Sequence, residues 1–128
     1  MNLLSVDPGL LNGWAAWVDG SLTSWGEIPI WDKGLLLIPS FDVMVIEKIT
    51  LGPRLRIEAA WADGIFRYFA HLSDARIIEQ PPSFRLGPRR RHPLSRISSR
   101  HARDAIWHGI AYLDRLGVTP DLRRVYDE

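Results

Sequence analysis

The sequence of 128 residues contains no cysteine. This absence excludes a disulfide framework, a zinc–thiolate site and a cysteine nucleophile, so any metal would be held by carboxylates and histidine. No apolar run approaches the length that crosses a bilayer. The first seven residues include an acid and no basic cluster, which argues against a signal peptide. We therefore expect a cytoplasmic protein without a membrane partner.

Lysine is scarce as well, because fourteen of the sixteen basic residues are arginine. The net charge of +1 hides an asymmetry: residues 1–53 carry −4, residues 54–103 carry +7 and residues 104–128 carry −2. Arginine binds phosphate through a planar, two-pronged guanidinium, so the middle segment is suited to a polyanion. Arginine-rich codon usage in a GC-rich genome is the alternative explanation.

The hydrophobic pattern predicts a single domain over residues 1–128, with an α/β fold. Four strands come first, then a helix, a fifth strand and a last helix that ends at Gly117. The Asp19-Gly20 pair predicts a tight hairpin, so the sheet should be mixed, with an antiparallel meander and a parallel crossover. The predicted strands cover residues 3–7, 12–18, 22–28, 43–47 and 75–79. The predicted helices cover residues 54–72 and about 102–116, and residues 29–42 and 83–99 are predicted to be irregular.

The first predicted helix carries apolar residues on more than one face. One stripe follows helical spacing, and it consists of Ile57, Trp61, Ile65, Tyr68 and Leu72. Gly64 lies within it, and the cost of glycine in a helix suggests close packing at that position. Part of this surface is predicted to form an interface with a second copy, and simple core packing is the alternative.

Acidic residues lie at the ends of two predicted buried strands and near the start of the last predicted helix. Asp7 ends the first predicted strand and Glu47 ends the fourth. His101 and Asp104, three residues apart at the start of the last helix, share one helix face. If the first and fourth strands are neighbours, these four side chains converge.

Three clustered carboxylates repel one another, and divalent cations remove that repulsion. Two Mg²⁺ ions held in this way can activate water and stabilise the leaving oxygen of a phosphodiester. Each residue also has an ordinary interpretation. Asp7 could start a turn, Glu47 could be a solvated strand end, Asp104 could lie at the surface and His101 could cap the helix.

The sequence also resembles a known family at about a dozen positions. Residues 4–9 with 12–15 (LSVDPG and NGWA), residues 45–48 (VIEK) and residues 101–105 (HARDA) resemble the three acidic motifs of RuvC-type Holliday junction resolvases. The resemblance covers most of the chain in order and spacing. The short segment over residues 29–42 leaves no room for a full helix, which suits a phage-type member in a bacterial or phage-infected cell.

This resemblance implies an RNase H-like fold, a homodimer, and two Mg²⁺ or Mn²⁺ ions per active site. It also implies paired, symmetric nicks in a four-way DNA junction that leave 5′-phosphates. Asp7, Glu47 and Asp104 would be metal ligands. His101 departs from the aspartate that many members carry, and it could be a ligand or a proton carrier.

DNA contacts are predicted in two segments. After the second acid, Leu51 could wedge between bases at the crossover or could simply pack locally. The arginine-rich segment leads into the last helix and could bind phosphates or form a solvated loop. The predicted DNA-binding residues are Lys48, Leu51, Arg54, Arg85, Arg89, Arg90, Arg91, Arg96, Arg100 and Arg103.

Two other functions fit the same sequence. One is an RNase H-like nuclease that acts on RNA or an RNA–DNA hybrid, as in ribosomal RNA processing. The other is a non-catalytic, arginine-rich nucleic-acid-binding module. Among the remaining histidines, His108 follows Asp104 by four residues and could touch the site, although a position at the edge of the core is the simpler interpretation.

Overall fold

The computed structural model describes residues 1–30, 38–49 and 57–126, and they contain five strands and four helices. The strands are β1 (Asn2–Asp7), β2 (Leu11–Val18), β3 (Ser21–Pro29), β4 (Val43–Glu47) and β5 (Arg76–Gln80). The helices are α1 (Ile57–Leu72), α2 (Leu86–Arg91), α3 (Arg100–Arg115) and α4 (Arg123–Tyr126), and a 3-10 turn spans Pro82–Arg85.

The strands form one sheet in the order β3-β2-β1-β4-β5. β1 pairs with β2, and β2 with β3, in antiparallel directions, whereas β1–β4 and β4–β5 are parallel. At the β2–β3 turn, Asp19 and Gly20 have φ angles of 49° and 84°, as a tight hairpin requires. The predicted five-stranded mixed sheet is therefore confirmed, and β1 and β4 are neighbours.

The sheet has a hydrophobic core on each face, because alternate strand residues point to opposite sides. On one side, Leu3, Trp17 and Val45 pack against α3. On the other side, Leu4 and Met44 belong to a smaller cluster that includes residues of α1. The sheet is thus enclosed between α3 and α1, and this packing fixes both long helices relative to the strands.

Helix α3 approaches β2 unusually closely at Gly13. A Cβ atom added to Gly13 would lie 1.8 Å from the carbonyl oxygen of His101. The start of the helix is fixed by Ser99, whose hydroxyl accepts a hydrogen bond from the backbone N–H of Ala102 at 3.1 Å. Glycine in β2 therefore allows the first turn of α3, which carries His101 and is followed by Asp104, to rest directly on the strand.

Helix α1 leaves most of the apolar stripe seen in the sequence exposed and buries another face. The helix packs against the sheet through Ala62, Phe66 and Ala70. Trp61 and Tyr68 of the predicted stripe are 63% and 59% exposed, and Ile57 and Leu72 are exposed as well. A Cβ atom added to Gly64 would meet nothing within 4 Å among the described residues, so the close packing expected at Gly64 does not occur against them.

Two further predictions need correction. Residues 83–99 were predicted to be irregular, yet they contain most of the 3-10 turn and all of α2. The last helix was predicted to reach about residue 116, but α3 ends at Arg115, and Leu116 follows it and is exposed. Of the helices within the described residues, none has the length and apolarity needed to cross a membrane.

Candidate active site

Three carboxylates lie close together at the carboxyl-terminal ends of the inner strands β1 and β4. The β1–β4 register pairs Val6 with Ile46, so Asp7 and Glu47 end adjacent parallel strands side by side. Asp104 reaches the same point from the first turns of α3. Asp7 and Asp104 are buried, and Glu47 is partly buried. The convergence of strand ends and helix start that the sequence predicted is present.

The guanidinium of Arg85 lies between these acids. Its Nε atom is 2.9 Å from Oε1 of Glu47, and its Nη1 atom is 2.8 Å from Oδ2 of Asp104. Burial opposes the charge on Arg85, but attraction to Glu47 and Asp104 outweighs it and raises the pKa of Arg85. The sequence predicted Arg85 to be a phosphate-binding residue. That role stays a prediction, and within the protein the guanidinium pairs with two of the site acids.

The environment of Asp7 raises the pKa of its carboxyl group. Burial raises the pKa of Asp7 to about 9, and a hydrogen bond with Glu47 and repulsion from Glu47 and Asp104 add to this effect. For Glu47, burial acts in the same direction, but hydrogen bonds with His108 and Asp7 prevail and lower the pKa. The cluster thus relieves its own repulsion by keeping Asp7 protonated and Glu47 ionised.

We expect the free energy of unfolding of the cation-free protein to fall as pH rises from about 4 to about 9. In this window the folded chain keeps the Asp7 proton, with a pKa of about 9, whereas the unfolded chain loses it near the ordinary value of 3.8. The stabilising contribution is therefore complete below the unfolded pKa and is lost as pH rises through the folded pKa. Urea unfolding with a chelator present, repeated across this pH range, measures the slope. Asp7→Asn should reduce it, and an equal slope in both proteins would contradict the assignment.

Two histidines border the acids. Nδ1 of His101 is 3.8 Å from Oδ2 of Asp7, which is too long for a hydrogen bond. His101 is partly exposed, so it can reach a bound ligand or water. His108 is fully buried, and its Nε2 atom lies 3.0 Å from Oε1 of Glu47. The sequence placed His108 at the edge of the core, and the structure makes it a direct partner of a site acid.

The donor set at this edge fits a hard divalent cation. Carboxylate oxygens are the ligands that Mg²⁺ and Mn²⁺ prefer, and the site offers those of Asp7, Glu47 and Asp104. In the part of the chain that the structure describes, no three acidic or histidine side chains already converge on a single cation position. The guanidinium of Arg85 contacts two of these acids. A cation would therefore replace the positive charge that Arg85 now supplies.

Comparison with solved structures identifies the architecture. The structure of Thermus thermophilus RuvC matches with a TM-score of 0.68 and 16% sequence identity, covering 95% of this chain and 100% of that one. T. thermophilus RuvC in complex with a Holliday junction substrate matches with a TM-score of 0.68 and 14% identity, covering 95% and 99%. The chain has a RuvC-like fold. No protein-family model matches the sequence, and a search of the curated proteins finds no match.

On this RuvC-like fold, the residues predicted to bind DNA lie in several elements. Lys48 follows β4 and is exposed next to the acidic cluster. Leu51 and Arg54 lie outside the described residues. The other arginines predicted to bind DNA lie in α2 (Arg89, Arg90 and Arg91), in the loop that follows it (Arg96) and in the first turn of α3 (Arg100 and Arg103).

Several of these arginines already have partners within the protein. Arg91 forms an ion pair with Asp114, and Arg89 lies over the ring of Trp107 at 5.5 Å. Arg96 and Arg103 donate hydrogen bonds to the backbone carbonyl oxygens of Tyr126 and Ile97, respectively. Over residues 1–30, 38–49 and 57–126, the side chains of Arg90 and Arg100 have no such partner, and both are exposed. The RuvC-like scaffold thus uses part of the basic segment to fix α2 beside α3, and these two side chains remain available to a ligand.

Proposed function

We propose that this chain is a metal-dependent endodeoxyribonuclease that resolves four-way (Holliday) DNA junctions. One observation carries the proposal: Asp7, Glu47 and Asp104 meet at one sheet edge, beside an arginine-rich segment. The RuvC-like fold supports it, because one similar structure is a RuvC bound to a Holliday junction substrate.

The proposed reaction is hydrolysis of a phosphodiester that leaves a 5′-phosphate. Two Mg²⁺ or Mn²⁺ ions, when bound, would supply an activated water and stabilise the leaving oxygen. Asp7, Glu47 and Asp104 would hold them, and His101 would serve as a further ligand or as a proton carrier for the water. Arg85 would lose its carboxylate partners and become available to a phosphate oxygen, as the sequence predicted.

Side-by-side cleavage of three substrates tests this proposal. The protein is incubated with a synthetic four-way junction, a linear duplex of the same sequence or an RNA–DNA hybrid. Each mixture contains Mg²⁺, Mn²⁺ or a chelator. We expect cation-dependent, paired nicks in the junction and little cutting of the duplex. Preferred cleavage of the hybrid or of RNA would instead favour the RNase H-like alternative. Binding without cleavage under every condition would leave only the non-catalytic binding module.

We also propose that the exposed apolar face of α1 pairs with a second copy of this chain. A groove on this face is lined by Ile30, Ala60, Trp61, Gly64, Ile65 and Tyr68. Large apolar side chains exposed together are typical of association surfaces. A homodimer would present two active sites to a junction whose strands are related by symmetry, as paired nicks require.

We expect Trp61→Glu to convert the protein from a dimer to a monomer. The side chain is 63% exposed, so the substitution should leave the fold intact while introducing a charge into the proposed interface. Light scattering coupled to size-exclusion chromatography measures the mass. Leu116→Glu, at an exposed residue after α3, is the matched control and should remain dimeric. A parent protein that is already monomeric would contradict the proposed interface.

Binding to the junction should weaken steeply as salt concentration rises, because neutralising phosphates releases counterions. We expect the double variant Arg90→Ala/Arg100→Ala to bind all DNA forms more weakly and to show a shallower slope of log K against log salt, by about 0.9 for each phosphate that these two arginines neutralise. Fluorescence anisotropy at several salt concentrations provides the slope. Arg91→Ala is the control, since Arg91 is paired with Asp114 and should contribute less. An unchanged slope in the double variant would exclude Arg90 and Arg100 as phosphate-binding residues.

A further inference from the structure

A chain of hydrogen bonds runs from the surface to the acidic cluster through His108. Nε2 of His108 lies 3.0 Å from Oε1 of Glu47, and Nδ1 lies 3.0 Å from Nε2 of Gln80. Gln80 is fully buried and also donates to the backbone carbonyl oxygen of His108 at 3.0 Å. On its other side, Nη1 of Arg115 is 3.4 Å from Oε1 of Gln80. These groups connect β4, β5 and α3 behind the site.

The directions of these hydrogen bonds determine which nitrogen of His108 carries the proton. A carbonyl oxygen can only accept and a guanidinium can only donate, so both ends of the Gln80 amide are fixed: its NH₂ faces His108 and its oxygen faces Arg115. The Gln80 NH₂ therefore donates to Nδ1, which must accept. The proton lies on Nε2 and is donated to Glu47.

We propose that His108, oriented by Gln80 and Arg115, is a positioning residue that fixes the carboxylate of Glu47 for cation binding. From inside the protein, its N–H donates to Oε1 of Glu47, the same oxygen that Arg85 contacts from the other side. If a cation displaced Arg85, the His108 bond would still orient this oxygen from inside the protein. Groups that orient metal ligands in this way commonly change metal affinity or activity by about 10–100-fold when they are removed.

The first test is independent of any nuclease activity. Long-range ¹H–¹⁵N NMR of the ring nitrogens of His108, in the parent protein without cations, distinguishes the two tautomers. We expect the proton on Nε2. A proton on Nδ1 would overturn the inference, because Nε2 would then have no hydrogen to donate to Glu47. This measurement requires no variant, so it remains decisive if substitutions at the buried position prevent folding.

The second test compares the Mn²⁺ affinity of His108→Leu with that of His108→Gln. Here the inference rests on the proposed function, which makes Glu47 a cation ligand. Leucine fills similar space without a donor, whereas the glutamine amide can return an N–H towards Glu47. We expect His108→Leu to weaken Mn²⁺ binding, measured by electron paramagnetic resonance, by about 10–100-fold. We expect His108→Gln to recover most of that affinity, although both variants lose some stability. Equal losses in the two variants, or no loss in either, would overturn it.

The outcomes separate this inference from the proposed function. If the parent protein binds Mn²⁺ and the His108 results hold, but no nucleic acid is cut, the nuclease proposal fails and the role of His108 stands. If the parent protein cuts junctions and the two variants bind Mn²⁺ as tightly as it does, the nuclease proposal stands and the role of His108 fails.

Discussion

Asp7→Asn should abolish junction cleavage and leave junction binding intact. The amide keeps the shape of the carboxyl group but provides a poorer cation ligand with no negative charge. Cation catalysis contributes several kcal/mol, so we expect a loss of about a thousand-fold or more in the cleavage rate. Gel cleavage assays at saturating protein measure the rate, and anisotropy measures binding. Cutting at the parent rate would remove Asp7 from the catalytic assignment.

Asp7→Asn should also change stability, and this effect should be a gain whereas the effect on cleavage is a loss. Asp7 must hold a proton at neutral pH in the folded, cation-free protein, because its pKa is raised to about 9. Asparagine is neutral at every pH, so Asp7→Asn should be more stable than the parent protein at pH 7 in the presence of a chelator. Asp74→Asn, at an exposed position where asparagine also tolerates the positive φ, is the matched control. It should change neither cleavage nor stability appreciably.

Gly13→Ala should cause the largest loss of both stability and activity among single-methyl changes. The added Cβ would lie 1.8 Å from the carbonyl oxygen of His101 and 2.9 Å from the backbone nitrogen of Ala102. These are backbone atoms, so no side chain can rotate aside, and the first turn of α3 must move away from β2. Overpacking of this kind costs about 1–3 kcal/mol and occasionally more. Since Asp104 directly follows this turn, the acidic cluster should open as well.

Chemical denaturation and the cleavage assay measure the two effects of Gly13→Ala. Gly87→Ala is the matched control, because a Cβ atom at Gly87 in α2 would meet no atom of the described residues within 4 Å. Alanine is the better helix former, but the following Pro88 disfavours a helical alanine, so this control should change stability by at most about 1 kcal/mol in either direction. A Gly13→Ala protein with parent stability and activity would show that α3 can shift without affecting the site.

Much of the site could be predicted because its acids end buried strands. A continuous apolar run followed by a carboxylate indicates a central strand whose last residue reaches the sheet edge, and Asp7 and Glu47 both follow this rule. The neighbouring positions of β1 and β4 then determine their proximity. Helical spacing likewise placed His101 and Asp104 on one face of α3.

Other features could not be predicted, because the sequence offers more than one equivalent choice for them. Helix α1 has apolar residues on two faces, and periodicity alone cannot tell that Phe66 faces the sheet whereas Trp61 faces outward. Arg85 looks like any other member of a basic segment, and only the path of the chain from β5 through the 3-10 turn brings it to the acids. The role of His108 depends on Gln80, which lies 28 residues earlier in the sequence and on a different element.

The guanidinium of Arg85 gives the protein an internal counterion for its own acids. The charge balance of Glu47 and Asp104 is therefore encoded in the chain itself rather than supplied from solution.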